Sequence, residues 1–151
     1  MNTLLIIGYV WPEPNSSAAG SRMLQLIQFF QQQGYQITFA SPAQRTDHMV
    51  ELNQFVNACV DIKLNCSSFD AFIQSLQPDV VLFDRFMMEE QFGWRVSEQC
   101  PQALRILDTE DLFCLRHARH DAHKQNQVMI EADLLSSELA QREIAAIFRC
   151  D

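Results

Sequence analysis

The hydrophobic pattern alternates along the chain between short apolar runs and longer stretches with helical spacing. Residues 3–8 and 79–84 are apolar without a period of two, which is typical of strands buried on both faces of a parallel sheet. The predicted strands are residues 3–8, 36–40, 59–64, 79–84 and 104–108.

Apolar residues at helical spacing predict a helix after each strand. The clearest helix has Met23, Leu26, Ile27 and Phe30 on one stripe, Ser16 or Ser17 as its N-terminal cap, and Gly34 after its end. Further helices are predicted at 48–57, from Ser67 or Ser68 to before Pro78, and at 89–100, 112–124 and 126–148. The last of these carries Val128, Ala132, Leu135 and Leu139 on one side.

Strands that alternate with helices predict right-handed βαβ units and a parallel sheet covered on both faces. We therefore expect a Rossmann-like three-layer α/β sandwich, with five parallel strands in the order 3-2-1-4-5 and additional helices at the C-terminal end. The 151 residues suffice for a single domain, 1–151. Because the last helix reaches Asp151 without a glycine, a proline or a polar tail, we expect the domain to be part of a longer protein.

Composition excludes several classes of partner and location. The chain has 11 Lys and Arg against 19 Asp and Glu, and no basic stripe, so nucleic acid is not an expected partner. The five cysteines form no C-x-x-C pair and are expected to be reduced thiols. The apolar start has no preceding basic residue and is interrupted by Pro12 and Pro14, unlike a secretion signal. We expect a cytoplasmic protein.

The loop after the first strand is the first candidate site, because ligands of open parallel sheets bind beyond the carboxyl ends of the strands. The candidate binding residues here are Asn15, Ser16, Ser17, Gly20 and Arg22. Small residues at a helix start let backbone N–H groups approach a phosphate or sugar, and Arg22 adds charge. An ordinary capped helix with Arg22 on its solvent face is the alternative. The loop lacks the glycine patterns of dinucleotide and ATP sites.

Charged residues follow the fourth and fifth strands at the same expected edge. The candidates are Asp84, Arg85, Asp108, Glu110 and Asp111. Such carboxylates bind magnesium, accept hydrogen bonds from sugar hydroxyls or act as a general base. Two alternatives stay open: Thr109 or Asp111 caps the next helix, or Asp84 and Arg85 form a structural ion pair. If Arg22, Asp84, Asp108 and Glu110 lie at this edge for binding rather than for folding, their replacement should cost little stability.

Three histidines in the predicted helix 112–124 suggest a metal site, but their spacing argues against it. His117, His120 and His123 would spread over about 120° around the helix, so all three cannot reach one ion. We therefore expect no metal site, and no cofactor pattern is present in the sequence. No nucleophile has a base within sequence reach, so covalent catalysis has no support.

Four segments together resemble a known enzyme family. They are residues 12–23 (Pro-Glu-Pro-Asn-Ser-Ser-Ala-Ala-Gly-Ser-Arg-Met), 34–38 (Gly-Tyr-Gln-Ile-Thr), 84–90 (Asp-Arg-Phe-Met-Met-Glu-Glu) and 105–112 (Arg-Ile-Leu-Asp-Thr-Glu-Asp-Leu). This pattern is similar to the N-terminal half of bacterial glycosyltransferases with the two-domain GT-B architecture. The similarity spans the whole chain, which corresponds to less than half of such an enzyme.

The resemblance implies a sugar transferase that uses a nucleotide-sugar donor. In the family the N-terminal domain mainly holds the acceptor, here a cell-envelope glycan or a lipid-linked molecule, and the absent second domain grips the donor. Gly20 matches the loop near the donor diphosphate, although the frequent double glycine is missing. Asp84 and the carboxylates at 108–111 match cleft-edge positions, without an assigned catalytic residue. Peripheral membrane association of the parent enzyme is also expected, and the fragment alone should be inactive.

A self-sufficient, flavodoxin-like module that binds a small ligand without catalysis is the alternative. A response-regulator receiver domain, a specific version of it, requires an acidic pair after the first strand and a lysine after the fifth. This chain has Gly8-Tyr9 and Asp108 at those places, so that version is excluded.

Overall fold

A computed structural model describes residues 2–151 of the chain. The strands are β1 (Thr3–Ile7), β2 (Gln36–Ser41), β3 (Ala58–Asp61), β4 (Val80–Asp84) and β5 (Leu104–Asp108). The helices are α1 (Ala18–Gln32), α2 (Ser68–Leu76), α3 (Phe86–Gln99), α4 (Phe113–Lys124), α5 (Glu131–Ser136) and α6 (Glu138–Arg149).

The five strands form one parallel sheet in the order β3-β2-β1-β4-β5, which confirms the predicted Rossmann-like fold. β1 is central, and its residue Leu5 stands opposite Thr38 of β2 and Val81 of β4. Both faces of β1 are covered, and its residues from Leu4 to Ile7 are almost completely inaccessible to solvent. This burial on both faces explains why the sequence there does not alternate between apolar and polar residues.

Apolar side chains pack on both faces of the sheet. On one face α1 contributes Met23 and Ile27, and the loop after β1 adds the buried Trp11. On the other face α2 and α3 supply Phe69 and Phe92, whose ring centroids lie 4.7 Å apart. The structure therefore has the three expected layers.

The two ends of α1 follow the predicted signals. Ser17 is the N-terminal cap, and its hydroxyl accepts a hydrogen bond of 3.0 Å from the N–H of Gly20. Gly34 has a left-handed φ of 80°, and Tyr35 N–H closes the end of the helix on Phe30 O at 3.1 Å. Both predictions are confirmed.

The helix predicted at 48–57 is wrong, because only a short 3-10 turn, Leu52–Gln54, forms there. Contacts with distant segments hold this region instead. The Val50 N–H donates to Pro12 O at 2.9 Å, and the Asn57 N–H donates to Ile37 O at 2.8 Å. These bonds replace those that a regular helix would make within itself.

The single helix predicted at 126–148 is also wrong, since the structure has two helices there. Ser137 is extended, with ψ of 146°, and its hydroxyl caps α6 by accepting from Ala140 N–H. The predicted apolar side is largely exposed, and α6 instead buries Ala140, Glu143 and Ala146. Packing against α3 and α4, rather than apolar periodicity, selects the buried face.

Polar side chains attach α6 to its neighbours. Arg149 Nε donates to Glu89 Oε1 of α3 at 2.9 Å, and Arg142 Nη2 donates to Glu90 Oε2 of α3 at 2.8 Å.

α3 begins at Phe86, three residues before the predicted start, because Phe86 and Met88 are buried. No helix within residues 2–151 combines the length and the apolar character needed to cross a bilayer.

Candidate functional site

The candidate site lies where the strand order reverses. β1 and β4 are neighbours, and the chain leaves them toward opposite sides of the sheet, which opens a crevice at their carboxyl ends. β5 lies next to β4, and the register places Asp84 directly opposite Asp108. The topology thus brings together the charged residues that the sequence places after separate strands.

Asp84 is a buried carboxyl group, with 6% of the residue exposed. Its Oδ2 accepts a hydrogen bond of 3.0 Å from the Tyr9 N–H, and its Oδ1 lies 3.6 Å from Arg85 Nε. Burial raises the pKa of Asp84 to about 6, although the Arg85 charge and the Tyr9 hydrogen bond oppose that rise. A carboxyl group that titrates near neutral pH can accept or donate a proton.

Arg85 is held in a strained backbone conformation, with φ of 73°. Its guanidinium stacks over the Tyr9 ring at 4.7 Å from the ring centroid, and its Nε lies 4.0 Å from Glu110 Oε2. The Nε atom is buried and has no hydrogen-bond partner among the described residues. The ion pair between Asp84 and Arg85 is therefore present, but it leaves one donor of Arg85 unused. Strain of this kind often occurs at binding sites.

Asp108 is tied to its surroundings by several hydrogen bonds. Arg22 donates to it through Nε at 3.3 Å and Nη2 at 2.9 Å, and the Glu110 N–H donates to its Oδ1 at 3.1 Å. Arg22 is therefore not simply on the solvent face of α1. Asp84 and Asp108 are both buried, whereas the expectation of a small stability cost on replacement assumes exposed polar side chains.

The two remaining carboxylates of this segment point to different partners. Glu110 has a left-handed φ of 57° and lies beside Arg85. Asp111 instead forms an ion pair with Arg116 of α4 at 2.9 Å. Of the carboxylates at 108–111, Asp108 and Glu110 belong to the site by geometry.

The N-terminus of α4 is capped by a residue that the sequence analysis missed. Neither Thr109 nor Asp111 caps it, because the cap position is Leu112 and no side chain of that segment bonds there. The carboxylate of Glu143 in α6 accepts from Phe113 N–H at 3.0 Å and from Cys114 N–H at 2.9 Å. Glu143 lies about thirty residues further along the chain, so no local sequence signal identifies it.

The loop before α1 contributes less to the site than the sequence suggests. Asn15 and Ser16 are exposed, and no hydrogen bond joins them or Ser17 to the charged residues above within the described part of the chain. A Cβ atom on Gly20 would lie 2.5 Å from the Glu13 carbonyl oxygen. The absence of a side chain at this position therefore allows close packing of the helix on the loop.

Tyr9 is the second residue that the sequence analysis missed. It lies two residues after the end of β1, and it contributes its backbone N–H to Asp84 and its ring to Arg85. We call the group of Tyr9, Arg22, Asp84, Arg85, Asp108 and Glu110 the carboxyl-edge cluster. It contains three carboxylates and two guanidiniums, which suit the hydroxyl groups of a polar ligand.

Metal-binding geometry is not found in the described residues, where no three His, Cys, Asp or Glu side chains converge as metal ligands. The three histidines of α4 lie on an exposed helix, and His117 pairs with Asp121 at 3.1 Å.

Comparison with known proteins gives little further information. No protein-family model and no curated protein matches the chain. Among solved structures, the chain is similar to glycinamide-RNase-transformylase T from Mycobacterium tuberculosis, with 15% sequence identity and a TM-score of 0.42. The match covers 70% of this chain and 26% of that protein, so it spans about a quarter of the transformylase. A likeness this distant identifies no activity for this chain.

Proposed function

We propose that the chain is the acceptor-side domain of a bacterial, cytoplasmic glycosyltransferase. Its parent enzyme would transfer a sugar from a nucleotide-sugar donor to a cell-envelope glycan or a lipid-linked acceptor. The observation that carries the proposal is the position of Asp84, a buried carboxyl group with a pKa near 6 at the strand-order reversal. The sequence resemblance to GT-B enzymes supports the same function.

The charges of the carboxyl-edge cluster favour an acceptor over a donor. A nucleotide diphosphate carries several negative charges, and the cluster has more carboxylates than guanidiniums. The Arg22 guanidinium is also engaged by Asp108, which leaves fewer free donors for phosphate. A neutral, hydroxyl-rich molecule avoids this repulsion and can use the carboxylates as hydrogen-bond acceptors.

The first test is donor binding by the 151-residue chain. Calorimetry with common nucleotide sugars should show dissociation constants no tighter than about 1 mM, or about −4 kcal/mol. The physical reason is that the proposed donor contacts belong to another domain. Micromolar binding would contradict the acceptor-side assignment and favour a self-sufficient small-ligand domain of the flavodoxin-like type.

The second test locates the acceptor. Titration of the isotope-labelled chain with neutral glycosides should shift the backbone amide NMR signals of Tyr9, Arg85 and Glu110. Asp84→Asn should weaken this response because it removes the charged acceptor, whereas the exposed Asp133→Asn is the matched control and should leave it unchanged. Shifts confined to other parts of the chain would exclude the carboxyl-edge cluster as the acceptor site.

A further inference from the structure

One face of the sheet is incompletely covered beside α1. Six apolar side chains line an open groove there: Leu26, Phe29 and Phe30 of α1, and Leu82, Ile106 and Leu107 of the sheet. We call this the α1–β5 groove. Phe29 is 53% exposed, and Ile106 is only partly buried although it lies in a strand. Large apolar side chains exposed side by side often mark a binding surface.

The size of the groove limits what it can hold. Its volume is about 210 Å³, below the roughly 300 to 1,000 Å³ of pockets for drug-sized molecules. An apolar cavity of about 150 Å³ with Leu, Ile and Phe walls is large enough for benzene. The groove therefore suits one aromatic ring or an apolar group of similar size.

The groove is continuous with the carboxyl-edge cluster. Arg22 and Asp108, which form the bidentate ion pair, also line the groove. The Arg22 side chain is 52% exposed, and its hydrogen bonds to Asp108 use only Nε and Nη2. A ligand in the groove would therefore contact polar side chains at the end next to the carboxyl-edge cluster, where the Arg22 guanidinium has a free N–H.

We propose that the α1–β5 groove binds the aromatic or similarly sized apolar group of the acceptor while its sugar part lies at the carboxyl-edge cluster. This inference rests on the proposed function and narrows the acceptor to an amphiphilic glycoside. A purely hydrophilic glycan would leave the groove unused. The geometry supports this class of ligand, because the apolar groove and the carboxyl-edge cluster share the ion pair between Arg22 and Asp108.

The test compares two ligands that differ only in the apolar group. The isotope-labelled 151-residue chain is titrated with methyl β-D-glucoside and phenyl β-D-glucoside by NMR. Phenyl β-D-glucoside should bind about tenfold more tightly, because the ring buries roughly 60 Å² of additional apolar surface. It should also shift the methyl signals of Leu26 and Ile106, which the methyl glucoside leaves unchanged.

Two groove variants and one control outside the groove complete the test. Phe29→Ala and, separately, Leu26→Ala should each reduce the advantage of the phenyl glucoside to less than threefold. Phe148→Ala is the matched control, since Phe148 is 84% exposed on α6 and does not line the groove. Circular dichroism would verify that each variant is folded.

The outcomes separate this inference from the proposed function. Equal affinities for the two glucosides, or an advantage that survives both groove variants, would overturn the inference even if the amides of Tyr9 and Glu110 respond. Conversely, a response of the groove methyl groups without any response of those amides would show that the sugar does not lie at the carboxyl-edge cluster, which overturns both the inference and the acceptor role of the cluster. A groove closed by a second copy of the chain would give a dimer that Phe29→Ala dissociates, which also overturns the inference.

Discussion

Replacement of Asp84 by Asn should make the chain more stable at neutral pH. Burial raises the pKa of Asp84 from 3.8 to about 6, so the folded state disfavours the carboxylate relative to the unfolded chain. A shift of about two units corresponds to a cost of up to about 3 kcal/mol when the group is ionised. The Asn side chain keeps an oxygen that can accept the Tyr9 N–H, so the variant should avoid this cost without losing that hydrogen bond.

The stability that Asp84→Asn gains over the wild-type chain should decrease as the pH falls. Because the folded pKa lies above the unfolded pKa, the folded wild-type chain binds more protons between about pH 4 and 6. Its stability therefore rises as the pH falls through the folded pKa, and the advantage of Asp84→Asn shrinks. The gain should be about 1–3 kcal/mol at pH 7.5, fall to about half its value at pH 5, and almost vanish below pH 4.

Urea denaturation of both proteins between about pH 3.5 and 8 measures this difference. The difference between the two proteins cancels titrations that they share, such as that of Asp79, whose pKa is lowered by hydrogen bonds from Thr3. Asp133→Asn replaces an exposed aspartate and should change the free energy of unfolding by less than about 0.5 kcal/mol. A less stable Asp84→Asn at pH 7.5 would show that Arg85 stabilises the carboxylate and that the pKa of Asp84 is not raised. A gain in stability that is independent of pH would likewise show that this pKa is not raised.

Three further predictions concern the rest of the structure. Glu143→Ala should lower the free energy of unfolding by about 2–4 kcal/mol and should speed amide hydrogen exchange at Phe113 and Cys114, because these two N–H groups lose their acceptor. Unchanged exchange rates would exclude the capping role of Glu143. In urea denaturation, Leu82→Ala should lower the free energy of unfolding by about 2–5 kcal/mol because it leaves a cavity, and Asp108→Asn should lower it by about 1–2 kcal/mol because the hydrogen bonds to Arg22 weaken. An unchanged free energy of unfolding for Asp108→Asn would mean that the Arg22–Asp108 pair does not stabilise the fold. After dialysis of the chain without chelator, elemental analysis should find no stoichiometric zinc or nickel. One bound metal equivalent that is lost in the His120→Ala variant would contradict this prediction.

Most of the fold was predictable because its signals are local. Uninterrupted apolar runs indicate strands buried on both faces, and Ser17 and Gly34 mark the ends of α1 through hydrogen bonds within a few residues. The alternation of strands and helices then restricts the topology, since crossovers are right-handed. The sequence also places Asp84 and Asp108 at one edge, because the carboxyl ends of parallel strands share an edge.

Tertiary contacts decided what local signals could not specify. The segment 48–57 forms hydrogen bonds to Pro12 and Ile37 instead of a regular helix. In α6, Glu143 is buried and caps the N-terminus of α4, which is distant from it in sequence. Burial, the pKa of Asp84 and the pairing of Asp108 with Arg22 likewise depend on how separate elements pack. The sequence alone determined which residue types reach the carboxyl edge. Only the packed structure decided which of them are buried, paired or free to bind, because desolvation and hydrogen bonding depend on neighbours brought together by folding.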